Sequence, residues 1–392
     1  MGKRNPKIII LTASYGNGHL QVANSLYQEC LNRGFDNVKI CNLYAESHPF
    51  FSELTEKLYK KSFTFGKQFY KLFYYGTDKM QSKKLLRWYY QYGFKRLTSL
   101  IQTEKSDILI NTFPINAVPE FRRRTGIVIP TFNVITDYCL HRLWLHHEID
   151  RYYVSTNEMK LKIMSEGVIE SKVVVSGIPI RPAFSEIRNK RHLFEKYHLT
   201  PGRNLVLLLA GAQGVLKNMK EICETLLQQT DHQVTIVCGN NHSLRNELAP
   251  LASKYVGRFH SFGYVERIDE LYRLASVIVT KPGGITLTEA TAIGSPLILY
   301  KPIPGQEREN AVFFTEKGAA ITVHHQDELI GTIASLLENK EWQMDIYTSL
   351  KKLHIPQSHH VIMDDILTES DKIARSPVFI KNVKIDKKKL GS

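Results

Sequence analysis

Between Thr280 and Asn310 the chain reads TKPGGITLTEATAIGSPLILYKPIPGQEREN. A strand is expected to end at Thr280, Pro282-Gly283-Gly284 to turn sharply, and a helix to begin near Thr286. The first amides of such a helix and the glycine backbone suit a diphosphate, as a helix N-terminus offers uncommitted N–H groups and positive potential. Glu289, one turn in, suits a ribose diol. The next strand ends at Tyr300, and its loop brings Gln306, Glu307 and Asn310 to the same edge, where two amides and a carboxylate can read the hydroxyls of a hexose. Upstream, Gly211-Ala212-Gln213-Gly214 follows the apolar run LVLLLA and is the better phosphate partner of the chain's two glycine turns that end a strand early in their half.

The other such turn is TASYGNGH, residues 12–19, after Ile8-Ile9-Ile10-Leu11. It contains G-x-G but lacks the third glycine of a dinucleotide fingerprint, because position 21 is Gln. No acidic residue stands where a following strand would present it to a ribose. The glycines still allow close approach of a ligand. His19 then falls at the carboxyl edge of a parallel sheet, where open α/β folds bind ligands, and an imidazole there suits a general base near neutral pH. From this stretch alone, a capping or packing role for His19 is the alternative.

Apolar runs of strand length alternate with helical patterns throughout. Strands are expected over 7–11, 38–41, 108–111, 129–134, 151–155 and 172–176, and again over 204–210, 233–238, 257–262, 276–280, 296–300 and 320–323. Helical patterns such as 21–33, 218–229 and 286–293 lie between them. This alternation predicts an α/β protein with two Rossmann-like domains. GIPIRPAF, residues 177–184, carries a glycine and two prolines and marks the expected boundary. The expected division is a first domain over 1–185, a second over 186–366 and a basic tail over 367–392.

With 43% hydrophobic and 23% charged residues, the composition is that of an ordinary globular protein. No apolar run approaches the roughly 18 residues of a membrane span, and no secretory leader is legible, which makes the cytoplasm the expected compartment. The five cysteines form neither a C-x-x-C pair nor a zinc spacing and read as free thiols. Charge is uneven: residues 1–190 carry 28 Lys+Arg against 16 Asp+Glu, whereas the rest carries 24 against 22. Only the first half has reason to approach a polyanion.

Residues 50–94 depart from the Rossmann pattern. They hold 15 of the 40 aromatic residues, with nine Lys/Arg and three acids. Interleaved rings and cations suit a lipid headgroup boundary, and Lys60, Lys61, Lys67, Lys71, Phe73, Tyr74 and Trp88 are the expected membrane-associating side chains. Packing of most of these rings into a core is the alternative. Nucleic-acid binding ranks last, because no recognition motif accompanies the basic charge.

The motifs GNGH, NTFP, TDYCLHRLW, SGIPIRP, AGAQGVLKN, GYVERIDEL, TKPGGITLTEA and PGQERENA occur in this order. Together they resemble the processive diacylglycerol β-glucosyltransferases of Gram-positive bacteria, glycosyltransferases of family 28 related to the monogalactosyldiacylglycerol synthases. The resemblance runs from about Lys7 to Ile366. It implies a GT-B fold, two Rossmann-like domains facing across a cleft, with the acceptor on the first domain and UDP-sugar on the second. Carried over, Gly263, Tyr264 and Val265 would frame the uracil. Gly211, Gly214, Gly284, Ile285 and Thr286 would lie beside the diphosphate, with Gly18 on the other side of the donor. Glu289 would hold the ribose, and Gln306, Glu307 and Asn310 would approach the hexose or its phosphate.

His19 matches the general base or the organiser of the acceptor hydroxyl, with Asp137 as the alternative base. Asn17, His141 and Trp144 fall on the acceptor side, and an Asp137–His141 contact that merely orders the loop is the rival reading of that pair. The implied reaction is inverting transfer of glucose from UDP-glucose to diacylglycerol, and then to glucosyldiacylglycerol, at the cytoplasmic face of the cell membrane. It yields glycolipid of the lipoteichoic-acid anchor type. UDP-sugar is a substrate, no cofactor is implied, and the sequence has no D-x-D pair to hold a catalytic metal. The rivals are transfer of galactose, the N-acetylglucosaminyl transfer of peptidoglycan synthesis, and a non-enzymatic UDP-sugar sensor.

Overall fold

The computed structural model describes residues 5–14, 17–47, 74–76, 93–186, 189–211 and 218–375. The chain forms two compact units, one from Met1–Arg181 with Gln357–Ser392, the other from Pro182–Pro356.

Among its described residues the first unit holds six strands, β1 (Ile8–Thr12), β2 (Val38–Asn42), β3 (Ile108–Asn111), β4 (Thr131–Val134), β5 (Arg151–Val154) and β6 (Val173–Val175). They pair in parallel in the order β2-β1-β3-β4-β5-β6. The second unit holds β7 (Leu205–Leu209), β8 (Gln233–Val237), β9 (Phe259–Phe262), β10 (Val277–Thr280), β11 (Leu297–Tyr300) and β12 (Ile321–Val323). Their order is β12-β11-β10-β7-β8-β9, again all parallel. That is the doubly wound dinucleotide-fold order, whereas the first sheet follows the flavodoxin-like order with a strand added. All twelve expected strands are present, most trimmed by a residue or two. The reason they were legible is burial on both faces: every residue of β1, β7, β10 and β11 is buried, so these strands are near-continuous apolar runs.

The helix Asn17–Asn32 buries Val22, Ala23, Leu26 and Cys30 at helical spacing, which seats it on β1 and β2. The boundary between the units has a physical mark on each side. Ser25 Oγ donates to the Ile180 carbonyl at 2.9 Å, tying the end of the first segment to its own unit. Arg273 Nη2 donates to the carbonyls of Ala183 and Phe184 at 3.0 and 2.9 Å, tying the next residues to the second. The chain therefore changes unit after Arg181, inside the expected GIPIRPAF stretch and four residues before 186.

The expected second domain over 186–366 ends earlier than foreseen, at Pro356. The helix Ser358–Arg375 belongs to the first unit and packs along the helix Asn17–Asn32. Its apolar face buries Ile362, Met363 and Ile366. On its polar side, Tyr153 Oη donates to Asp365 Oδ2 at 2.8 Å and Arg151 pairs with Asp365 and Glu369. A boundary at 366 would have cut this helix in half, because its partners are more than 200 residues away in sequence.

Gly294 ends the helix Gly284–Ile293 at φ 82°, and a Cβ there would meet the Tyr347 ring at 2.7 Å. Gly294→Ala is expected to destabilise the second unit by about 1–3 kcal/mol, through strain and overpacking. Urea unfolding measures this, and Tyr347→Ala in the same chain is expected to recover part of the loss.

Candidate functional site

In the first sheet the strand order reverses between β1 and β3, and the loops after those strands carry the candidate base. His19 lies in the first turn of the helix Asn17–Asn32, with Asn17 and Gly18 before it. Its Nδ1 lies 2.8 Å from the Thr112 carbonyl, just past β3. A carbonyl only accepts, so Nδ1 carries the proton and Nε2 keeps its lone pair. Thr136 Oγ1 lies 2.9 Å from the same Nδ1, and Phe113 packs edge-on against the ring with centroids 4.9 Å apart. Burial lowers the His19 pKa, while the Asp137 carboxylate and the Thr112 hydrogen bond oppose that shift without cancelling it. Asp137 is buried in the loop after β4, and its carbonyl accepts from Ser155 Oγ at 2.9 Å.

The neighbouring loop rests on a row of buried asparagines. Asn111 Nδ2 donates to Asn133 Oδ1 at 2.8 Å, Asn133 Nδ2 to the Trp144 carbonyl at 2.8 Å, and Asn116 Nδ2 to the Leu143 carbonyl at 3.1 Å. His141 uses both ring nitrogens: Nδ1 accepts from the Leu143 amide at 3.2 Å, and Nε2 donates to the Tyr74 carbonyl at 3.2 Å. Its ring also packs edge-on against Tyr74.

In the second sheet the order reverses between β7 and β10, so the loops after these strands flank the position where doubly wound sheets bind ligands. Gly211, after β7, has φ 80°; Gly214 lies outside the described residues. After β10, the helix Gly284–Ile293 begins behind Gly283, and no side chain caps its first amides. Gly284, Ile285 and Thr286 therefore present backbone N–H groups at that edge. Glu289 is buried one turn further on. Gly305 adopts φ 99° to start the helix Gln306–Glu316, a conformation that β-carbon-bearing residues resist. Glu307 Oε2 accepts from the Ile303 amide at 3.1 Å, and its Oε1 lies 3.8 Å from Lys281 Nζ. Asn310 is fully buried, and its Nδ2 donates to the Pro282 carbonyl at 3.0 Å. Val265 is half-buried just beyond β9, beside the exposed Tyr264.

Two family models match the chain: monogalactosyldiacylglycerol synthase over residues 19–180 and the glycosyltransferase family 28 C-terminal domain over residues 205–353. A processive diacylglycerol β-glucosyltransferase of Bacillus licheniformis is 52% identical over 94% of this chain and 96% of its own length. Its counterpart in Bacillus subtilis is 51% identical, with the same coverage of both chains. The chain belongs to the diacylglycerol β-glucosyltransferase family. Among solved structures it is similar to Acinetobacter baumannii MurG, with a TM-score of 0.60 at 13% identity over 93% of this chain and all of that one. A putative UDP-N-acetylglucosamine 2-epimerase of Listeria monocytogenes gives 0.62 at 14% identity over 96% and 100%. At such low identity these two attest the GT-B fold alone.

In this glycosyltransferase, His19, Thr112, Thr136 and Asp137 come together at one sheet edge, and Gly211, Gly284–Thr286, Gln306 and Glu307 gather at the other. Three of the expected site residues have partners inside the fold. Trp144 does not line an acceptor site: it is buried in a cluster with Ile135, Leu140, Ile149 and Tyr152. Asn310, expected to approach the hexose or its phosphate, has its amide nitrogen committed to the Pro282 carbonyl and braces that turn. Tyr74, expected among the membrane-associating rings, is half-buried and packs on His141, with its hydroxyl 3.6 Å from Cys139 Sγ. Lys60, Lys61, Lys67, Lys71, Phe73 and Trp88 lie outside the described residues.

Sequence reasoning missed Thr112, Thr136 and Lys281. Thr112 acts through a carbonyl, which any residue type supplies, and so leaves no signal in the sequence. Lys281 adjoins the Pro-Gly-Gly turn, and a cation beside a phosphate-type turn was the available clue. A groove of about 930 Å³ also opens where the segments leading into β5 and β6 meet, among Leu145, His146, Val168 and Lys172. That is the amino edge of the first sheet, opposite the one that carries His19.

Trp144 separates a packing residue from an acceptor contact. Trp144→Ala is expected to cost about 3–5 kcal/mol of stability in urea unfolding. Trp144→Phe is expected to keep the KM for the lipid acceptor unchanged.

Proposed function

We propose that the enzyme transfers glucose from UDP-glucose to diacylglycerol with inversion, and then to the glucosyl lipid it has made. The observation that carries this reading is the His19 tautomer: with Nδ1–H committed to the Thr112 carbonyl, Nε2 is an acceptor. In the proposed step the lipid hydroxyl gives its proton to Nε2 as its oxygen bonds to the anomeric carbon. The bond from that carbon to the diphosphate breaks, and UDP leaves with the electron pair. One displacement converts an α-linked donor into a β-linked product. Helix amides at Gly284–Thr286 and the Lys281 ammonium stabilise the charge that develops on UDP. Val265 takes the base, Glu289 the ribose, and Gln306 with Glu307 the hexose. Asp137 favours the imidazolium formed during proton transfer, and Asn310 holds the Pro282 turn in place.

The acceptor and the sugar come from the names of the Bacillus relatives at 46–52% identity. Glucose in place of galactose rests on the same names. No step in this scheme uses a divalent ion. Among the described residues no helix is long and apolar enough to cross a membrane. The acceptor is a membrane lipid, so we place the enzyme at the cytoplasmic face as a peripheral protein, held by the basic surplus of its first half.

The deciding experiment incubates the protein with diacylglycerol and either UDP-glucose or UDP-galactose, in EDTA, and separates the glycolipids by chromatography. Mono- and diglucosyl products from UDP-glucose alone are expected; a galactolipid, or no product, overturns the assignment. His19→Ala is expected to lower kcat by about 10²–10⁴-fold, the usual worth of a general base. Burial favours the neutral imidazole, so the base stays available at lower pH than a free histidine of pKa 6.5 allows. The acid limb of kcat/KM in the unaltered enzyme therefore falls below that value, and it is expected to vanish in His19→Ala.

Membrane attachment has its own test. Each basic residue near an anionic surface contributes about 1 kcal/mol. Reversing the charge of Lys60, Lys61, Lys67 and Lys71 together is expected to release the protein from anionic liposomes in sedimentation while leaving its fold, read by circular dichroism, intact.

A further inference from the structure

Among the described residues, one group of His, Cys, Asp and Glu side chains is spaced to share a metal ion: Glu29, His359 and His360. Glu29 lies ten residues beyond His19 in the same helix, about 15 Å along its axis, so this group is separate from the reaction site. The two histidines open the helix Ser358–Arg375, immediately after the chain has returned to the first unit.

A carboxylate 1% exposed must be compensated. Glu29 Oε1 accepts from Arg33 Nε and, at 2.7 Å, faces His360 Nδ1. Glu29 Oε2 is buried with no hydrogen-bond partner, and the nearest cationic candidate is His359 Nε2 at 3.9 Å. Half of a buried carboxylate is thus left uncommitted, pointing at an imidazole. Arg33 also pairs with Asp364. With both imidazoles neutral, Glu29, Asp364 and Arg33 together carry one net negative charge. Burial lowers the pKa of His359, with His360 and Arg33 adding to the shift and the Glu29 carboxylate opposing it. Histidine ligates a metal through an unprotonated ring nitrogen.

We propose that Glu29, His359 and His360 form a binding site for a borderline transition-metal cation of the zinc class, clamping the last helix to the helix Asn17–Asn32. One donor atom from each residue lies within 4.8 Å of the other two. Bonds of about 2.0–2.2 Å to zinc require these atoms to close to roughly 3.4 Å, a shift that rotation of the two rings supplies. Two imidazoles and one carboxylate favour zinc over calcium or magnesium, which prefer all-oxygen shells. Glu29 Oε2 becomes a ligand while Oε1 keeps Arg33. The proton on His360 Nδ1 moves to Nε2 or to solvent as that nitrogen takes the metal, so binding weakens as pH falls.

The test titrates Zn²⁺ into chelator-treated full-length protein by calorimetry, with thermal unfolding read in parallel. One tight equivalent per chain and a midpoint raised by a few degrees are expected. His359→Ala/His360→Ala, and separately Glu29→Gln, are expected to weaken binding by more than the roughly 10–100-fold that loss of an outer-shell partner costs. Cys30→Ser is expected to retain it. Co²⁺ in the unaltered protein is expected to give visible bands without a sulfur charge-transfer band, which checks the ligand set even if a variant folds poorly. An unmoved midpoint with no one-to-one isotherm in the unaltered protein overturns the proposal. So does a double histidine variant that folds and still binds with undiminished affinity. Glycosyl transfer per folded molecule is expected to be the same with and without the ion.

Discussion

A single hydrogen bond, from His19 Nδ1 to the Thr112 carbonyl, spans the point where the first sheet reverses its strand order. Parallel strands end with their carbonyl groups at one edge, and at a reversal the connecting helices diverge to opposite faces, leaving that edge open. The β1 loop and the β3 loop meet there across this bond. It sets which imidazole nitrogen holds the proton, the direction of the ring, and with it the chemistry that edge can perform. Phe113 and Thr136 hold the same ring from two further sides. The row of Asn111, Asn133 and Asn116 fixes the loop beyond β4 on the same foundation.

The second unit solves a different problem with the same topology. Here the reversal between β7 and β10 brings together backbone amides, not a titratable side chain. The helix Gly284–Ile293 starts without a side-chain cap, which leaves its N-terminal amides to whatever anion arrives. Within the turn, the Gly283 amide and Thr280 Oγ1 both donate to the Lys281 carbonyl, at 2.9 and 3.2 Å. Asn310 adds a brace from the neighbouring helix, by donating to the Pro282 carbonyl from a fully buried position. Glu307 likewise serves its own loop through the Ile303 amide while facing Lys281.

The last helix shows why domain boundaries are harder to read than strands. Ile362, Met363 and Ile366 form an ordinary apolar stripe, and nothing local says which unit will cover it. Arg33, Arg151 and Tyr153 do, through Asp364, Asp365 and Glu369.

Local sequence was enough for the twelve strands, the two parallel sheets, the boundary within GIPIRPAF and the glycine turns at both sheet edges. These follow from local constraints: buried strands must be apolar throughout, and tight turns need glycine or proline. It also carried the residue types at the edges, His19, Glu289, Gln306 and Glu307 among them. The folded chain was needed to see that Trp144 is core, that Asn310 braces a turn, that Tyr74 packs on His141, and that Thr112 orients the His19 ring. Each of these depends on which atoms from distant segments exclude water from a side chain, or accept its proton. Burial and hydrogen-bond partnership are properties of pairs, and a pair separated by 93 residues, as His19 and Thr112 are, exists only once the sheet has formed.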